Sequence, residues 1–344
     1  MQSVEAGFAV AVLPAAQNVR QNPQRLKYME LRCPACNATL IALPYHSLAQ
    51  THKPYSCSRC GSVLEQQRGI WLALPEPRRK YFARFLGEYE AVRKAEGRGS
   101  ESADFYLALP YRDLTNRNSW QWSIRARTYR YIEKKLLPEF ARSLSQPLSV
   151  LDLGAGNGWL SYRLAALGHR PVAIDLQTNA YDGLGAALHY RSELSVLFPR
   201  FQAELDRLPF GDAQFDCAIF NASFHYSENY DRTVAETIRC LRPGGSVVIA
   251  DSPSYGREES GLAMLEERRT LFRRRFGFVP DSIASNEYLT RDRLLALEAR
   301  HNLEWKTHRV WYGVRWACRP FVAKLKRRRE PSQFWLYTAK VKAQ

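Results

Sequence analysis

Residues 149–175 read SVLDLGAGNGWLSYRLAALGHRPVAID. The first five form a short apolar run carrying one acid, Asp152, the length of a buried strand. Gly154-Ala155-Gly156-Asn157-Gly158 follows at once, a turn whose glycines let backbone approach a ligand closely. Residues 159–167 have helical spacing, and Gly168 stops them. Residues 171–175 make a second apolar run that ends on another acid, Asp175. Strand, glycine turn, helix and strand together make a Rossmann-type nucleotide site. An acid about twenty residues past the first glycine is placed to accept hydrogen bonds from both ribose hydroxyls.

The details select the nucleotide. Dinucleotide binders use G-x-G-x-x-G, with the pyrophosphate at the helix N-terminus. Here the third glycine comes one residue early and position 159 is a bulky Trp. Asp152 sits two residues before the first glycine, a poor place for a carboxylate beside a pyrophosphate. A ligand with an ammonium and a sulfonium suits that acid better.

The D-x-G-x-G-x-G pattern resembles motif I of class I S-adenosylmethionine-dependent methyltransferases. Further stretches agree in order. Glu204-Leu205-Asp206-Arg207-Leu208-Pro209-Phe210 is similar to the family's D-A-x-x-L-P-F stretch. Residues 215–221 (FDCAIFN) are similar to its fourth strand, and Leu241-Arg242-Pro243-Gly244-Gly245 to its L-K-P-G-G turn into the fifth. The resemblance spans about residues 149–251 and implies an α/β fold, a Rossmann-like seven-stranded class I methyltransferase sheet.

The resemblance also implies S-adenosyl-L-methionine as cofactor and a set of roles. Asp152 would hold the methionine ammonium, directly or through water. Gly154, Ala155, Gly156 and the Asn157-Gly158 turn would line the methionine and ribose. Asp175 would take the ribose hydroxyls. Leu176 would flank the adenine, with Glu204 and the Leu205 backbone reading its edge. Asn221 would lie beside the reacting methyl. His225 and Tyr226 follow the fourth strand and are the candidate catalytic residues. Methyl transfer from a sulfonium is an in-line displacement from an activated donor, so alignment and desolvation supply much of the rate. A base is needed only where the acceptor must lose a proton. His225 reads equally as that base and as a packing histidine. Cys217 lies inside the fourth strand and reads as core.

Upstream, Cys33/Cys36 and Cys57/Cys60 form C-x2-C, twenty residues, C-x2-C. Two such turns supply four thiolates, which tetrahedral zinc wants, and a closed set of four predicts a structural ion. Such an ion also folds a segment too short to make its own core. His46 and His52, between the pairs, read as loop residues. The segment resembles the zinc ribbons typified by the small activator subunit of transfer-RNA methyltransferases. Those share the L-x-C-P-x-C start, the C-x-x-C-G knuckle and an end like Gly69-Ile70-Trp71-Leu72, with Trp71 where they have Pro.

The rest bounds the function. The 344 residues suit two domains, and the composition, 45% hydrophobic and 24% charged, excludes a disordered or fibrous chain. No run is long enough to span a membrane. Lys+Arg 50 against Asp+Glu 34 gives +16, which favours anionic partners. Seven cysteines, four of them in tight pairs, argue for a reducing, cytoplasmic setting. The expected organisation is a weakly ordered leader (1–27), a zinc ribbon (28–75), a helical linker or lid (76–136) and the methyltransferase domain (137–344). Helices are expected at 78–93, 119–137 and, with breaks, 258–299. The last strands are expected at 305–314 and 334–341. Trp120, Trp122 and Arg125 are either core contacts or part of a lid. A basic insertion at about 315–333, and a second cluster at Arg268, Arg269 and Arg273–Arg275, are either solvated faces or a rim for phosphates.

The leading expectation is methyl transfer to a small-molecule or lipid-linked acceptor. One alternative is an RNA base methyltransferase that uses the ribbon and basic patches to hold RNA. Another is a non-catalytic zinc-ribbon interaction protein. Expected partners are an anionic or phosphate-bearing acceptor, RNA, and a membrane surface contacted peripherally.

Overall fold

The computed structural model describes residues 28–144 and 147–342; the expected leader lies outside them. The N-terminal segment contains β1 (Tyr28–Arg32), β2 (Thr39–Pro44), β3 (Tyr55–Ser56), β4 (Val63–Gln67) and β5 (Ile70–Leu72). Helices α1 (Glu76–Ala95), α2 (Ala103–Ala108), α3 (Ser119–Tyr131) and α4 (Leu137–Ser143) follow. The nucleotide fold proper has β6 (Ser149–Leu153), α5 (Trp159–Ala166), β7 (Arg170–Asp175), β8 (Arg200–Gln202), β9 (Phe215–Asn221), α6 (Tyr230–Cys240) and β10 (Leu241–Ala250). It closes with β11 (Ser254–Tyr255), α7 (Glu258–Phe276), β12 (Leu289–Thr290), α8 (Arg291–His301), β13 (Lys306–His308), α9 (Val314–Ala317), α10 (Arg319–Leu325) and β14 (Leu336–Lys340).

The main sheet runs β13-β14-β10-β9-β6-β7-β8-β5-β4-β3. Its first seven members are the expected α/β sheet, with β14 antiparallel to β10 and the β6–β9, β6–β7 and β7–β8 pairs parallel. Because side chains alternate along a strand, the sheet has two apolar faces. Leu151, Leu153, Phe220 and Ile249 meet α6, α8 and the N-terminal strands on one face. Val150, Cys217, Ile219 and Val248 meet α3, α4 and α5 on the other.

The ribbon is part of this sheet. β5 pairs in parallel with β8, Trp71 opposite Phe201, their rings stacked at 5.8 Å. Trp71 is fully buried, donates its indole N–H to the Leu48 carbonyl at 2.9 Å and stacks on His52. That explains a Trp where similar ribbons have Pro.

The expected helices appear with shifted ends. α1 begins behind Pro75, with Pro77 in its first turn, where a missing N–H costs nothing. The 119–137 helix widens into a π-type turn at Ile132–Leu136, because Pro138 offers no amide to the ladder. The 258–299 stretch splits: Gly277, at φ +77°, ends α7, and Thr290 accepts from the Arg293 amide to start α8. The expected strand 305–314 stops at His308. Tyr312 turns inward onto Trp316, and Gly313 at φ +98° ends the extended run.

Candidate cofactor crevice and cysteine cluster

A cavity of about 310 Å³ opens at the carboxyl ends of β6, β7, β9 and β10, beneath α1 and α3. β6 lies between β7 and β9, so this is the sheet's topological switch point, where open α/β sheets bind ligands. The turn after β6 is pinned, since the Gly154 and Ala155 amides both donate to the Ile174 carbonyl at 2.8 Å. Gly154 sits at φ +76°, and a Cβ there would lie 2.2 Å from that of Ser223. Gly156, at φ +54°, has only the Asp182 carbonyl within reach, at 3.5 Å. Its missing side chain keeps the crevice open.

The start of α5 decides what kind of ligand fits. The Asn157 side chain accepts from the Trp159 amide at 3.2 Å. One Asp152 oxygen accepts from the Ser161 amide at 3.1 Å and its hydroxyl at 2.7 Å. Two of the first three amides of α5 are therefore satisfied by side chains, and the anion seat a pyrophosphate needs is closed. Asp175 accepts from the Gly156 and Gln177 amides, each at 2.8 Å. Burial pushes the Asp152 carboxyl up to about 7 and that of Asp175 up to about 6. Both line the crevice. Two buried acids whose charge is disfavoured suit a cationic ligand, whose charge offsets their desolvation.

Most of the expected cofactor residues meet here: Asp152, Gly154, Ala155, Gly156, Asn157, Asp175, Leu176, Leu205 and Asn221 line the cavity. Two do not. Gly158 caps α5 at φ +77°, and its missing Cβ faces the Phe198 ring at 2.9 Å, away from the cavity. Glu204 is buried with both carboxylate oxygens taken by Arg78, the closest contact being 2.7 Å. Its neighbours Ala203 and Leu205 line the cavity instead. The Glu204 side chain, expected to read the adenine edge, instead forms a latch to Arg78 that holds α1 to the sheet.

His225 and Tyr226 both line the cavity. Burial lowers the His225 imidazole to about 4, so it is neutral at physiological pH; its Nδ1 lies 3.3 Å from the Ser252 hydroxyl. Tyr226 packs edge-on to Tyr89 of α1 at 5.8 Å. Of the three lid candidates, Trp122 and Arg125 line the cavity, with the guanidinium 4.8 Å above the Trp122 ring. Trp120 is exposed and lies under Arg315.

Sequence reading missed several lining groups. Asp251, at the end of β10 with φ +51°, is buried and accepts from the Thr128 hydroxyl at 2.6 Å and the Asn221 amide at 3.5 Å. Burial raises its carboxyl. The signal was available, since this strand also ends on an acid. Arg93 of α1 is ion-paired with Asp182, and the Gln177 side chain donates to the Leu86 carbonyl at 2.7 Å. These contacts join α1 to the loop after β7, and nothing in the sequence pairs residues so far apart.

The four ribbon cysteines converge, all sulfurs within 4.8 Å of one another. Cys33 and Cys60 are 3.5 Å apart, Cys36 and Cys57 3.6 Å. Zinc–sulfur bonds of about 2.3 Å put tetrahedral sulfurs about 3.8 Å apart, so the cluster fits that ion. Two matching turns aim them. Asn37 at φ +61° donates its amide to the Cys33 carbonyl, and Gly61 at φ +74° donates to that of Cys57. His46 and His52 are outside the cluster, and Cys217 is fully buried in β9.

Residues 151–249 match the family model described as "Methyltransferase domain". A malonyl-[acyl-carrier protein] O-methyltransferase of Erwinia pyrifoliae is 29% identical over 133 residues, 39% of this chain and 48% of that protein. A dimethylglycine N-methyltransferase of Parasynechococcus marenigrum is 32% identical over 127 residues, 37% of this chain and 45% of that protein. The chain thus spans about half the length of these curated relatives. Among solved structures, Burkholderia thailandensis 1,6-didemethyltoxoflavin-N1-methyltransferase with bound S-adenosylhomocysteine is similar at 19% identity and a TM-score of 0.44. It covers 85% of this chain and 100% of that one. Among the described residues, no helix is long and apolar enough to cross a membrane.

Proposed function

We propose that this protein transfers a methyl group from S-adenosylmethionine to a small-molecule or lipid-linked acceptor, and that zinc closes its N-terminal ribbon. The observation that carries the reading is the start of α5. Its amides are taken by Asp152 and Asn157, and two buried carboxylates face the cavity instead of a phosphate seat. That donor set fits an ammonium, a ribose diol and a sulfonium.

When bound, the cofactor supplies a methyl already activated for displacement. Asp152 would hold the methionine ammonium and Asp175 the ribose hydroxyls, while Leu176, Ala203 and Leu205 would give the adenine an apolar berth. α1 is fastened over this end through Arg78–Glu204 and Arg93–Asp182. The acceptor occupies the opposite end, among Asn221, His225 and Asp251. There burial strengthens the Asp251 carboxylate as a base and weakens the His225 imidazole, and both are candidates to take a proton from the acceptor.

Titration calorimetry with S-adenosylhomocysteine and, separately, NAD tests the cofactor. Binding of the first and not the second is expected; the reverse overturns the reading, and binding of neither leaves a non-catalytic ribbon protein. Tritiated methyl transfer into fractionated extract tests the acceptor. Label in the lipid or small-molecule fraction is expected, and label that ribonuclease removes favours RNA.

A further inference from the structure

The chain between β13 and β14 presents an unusual surface. Trp311, Val314, Phe321 and Leu325 are 65%, 69%, 73% and 75% exposed. Isolated exposed apolar residues are ordinary, but four bulky ones within fifteen positions are not. Phe321, Val322 and Leu325 stand at helical spacing on one side of α10, a helix with no buried residue. Residues 311–329 contain seven Lys or Arg and no acid. Arg329 pairs with Glu267 and Arg319 stacks on Trp316, but Lys324, Lys326, Arg327 and Arg328 are exposed and have no acidic partner among the described residues.

The inner side of this segment is fastened down. Trp316 packs against Tyr312 at 5.2 Å and Phe334 at 5.3 Å, in a cluster with Ile124 of α3. Ile124 and Phe334 line the cavity. The exposed apolar residues therefore stand on the outer side of the cavity wall, and the exposed cations follow them in the chain at 324–328.

We infer that residues 311–328 dock on an anionic lipid bilayer, with Trp311, Val314, Phe321 and Leu325 entering the interface and the free cations meeting lipid phosphates. Bulky apolar side chains beside unpaired Lys and Arg make the pattern of interfacial anchors, which bind by buried apolar area plus attraction to anionic headgroups. RNA would use the cations but gains nothing from exposed Val and Leu, since sequence-tolerant RNA binding adds aromatic stacking to charge. Docking in this orientation sets the cavity mouth beside the headgroup layer. Resting on the methyl-transfer reading, the acceptor is then an amphiphile held in that layer, reaching Asn221 and Asp251 past Phe334.

The experiment is co-sedimentation of the full chain with vesicles of phosphatidylcholine alone and of phosphatidylcholine with phosphatidylglycerol, at low and high salt. Binding to the anionic vesicles that weakens with salt is expected. Phe321→Ser with Leu325→Ser removes apolar area only; Lys326→Glu with Arg327→Glu reverses charge only. Each pair is expected to cut binding about tenfold. All four residues are exposed, and calorimetry with S-adenosylhomocysteine checks that the fold and cofactor site survive in both variants. Loss in the charge variant with none in the apolar variant overturns the inference, as does equal binding to neutral vesicles. Tighter binding to a structured RNA than to anionic vesicles, unmoved by the Ser pair, overturns it in favour of RNA. A protein that binds vesicles but not S-adenosylhomocysteine retains the docking surface and loses the methyl-transfer reading, so the two fail separately.

Discussion

The cysteine ribbon and the cofactor crevice are both built on short sequence signals, yet they are held together in different ways. The ribbon's four sulfurs come from two turns, each fixed by backbone bonds between residues a few positions apart. The crevice takes its floor from one glycine turn, but its roof and far wall come from α1, α3 and the ends of β9 and β10. A local site is nearly complete in its motif; an assembled one is complete only when distant elements dock. The contrast predicts that the ribbon fails as a unit, whereas the crevice fails one contact at a time.

The largest effect should come from Cys33→Ser with Cys36→Ser. Elemental analysis should fall from about one zinc per chain to none, and the melting temperature should drop by about 10 °C or more, since such ions supply much of a small domain's folding energy. Loss of zinc with an unchanged melt would show that the ribbon stands without the ion. Asp175→Ala should next weaken S-adenosylhomocysteine binding by about a hundredfold, through lost charged hydrogen bonds, and leave zinc content untouched. Near-normal affinity in calorimetry would remove Asp175 from the site.

Gly154→Ala should destabilise by about 2–4 kcal/mol in a denaturant melt, because the new Cβ collides with Ser223 at a positive φ. Gly244→Ala is the control. It shares a positive φ but has open space, and should cost about 1 kcal/mol. Equal costs would mean that contact with Ser223 does not shape the turn.

The smallest effect is a pH slope. The Asp152 carboxyl moves from an ordinary 3.8 to about 7 on folding, so between those values the folded chain holds a proton the unfolded chain has released. Stability of the ligand-free protein should therefore fall as pH rises through that window. Asp152→Asn keeps a carbonyl for Ser161 and has no charge to desolvate. It should reduce the slope, to which Asp175 also contributes, raise the melting temperature above pH 7 by about 2–4 °C, and still weaken cofactor binding about tenfold. A variant no more stable than its parent at pH 8 would refute the burial cost.

Legibility followed the same division. Order and spacing of β6, β7, β9 and β10 were readable, whereas β8, Arg200-Phe201-Gln202, was not, because each of the former carries an apolar run bounded by glycine or an acid. The four cysteines were readable for the same reason. The pairing of β5 with β8 was not, since three residues carry no register signal until a partner strand is present. Glu204 was legible as a motif position but its ion pair was not, because Arg78, brought over by α1, lies 126 residues away in the chain. The last strands were half legible: Tyr312 reads as strand by composition, but the cluster with Ile124 and Trp316 pulls it out of the extended run.

The junction between β5 and β8 has one more consequence. An uncovered β8 would offer unmatched backbone groups on a rim that other copies of the chain can join. Here β5 seals that rim, and the two-residue β3, outermost in the row, leaves little to join. The cysteine cluster, which ties the turn after β1 to the turn between β3 and β4, sits at that sealed rim, and Cys33→Ser with Cys36→Ser should show first as clumping, before the nucleotide fold itself gives way.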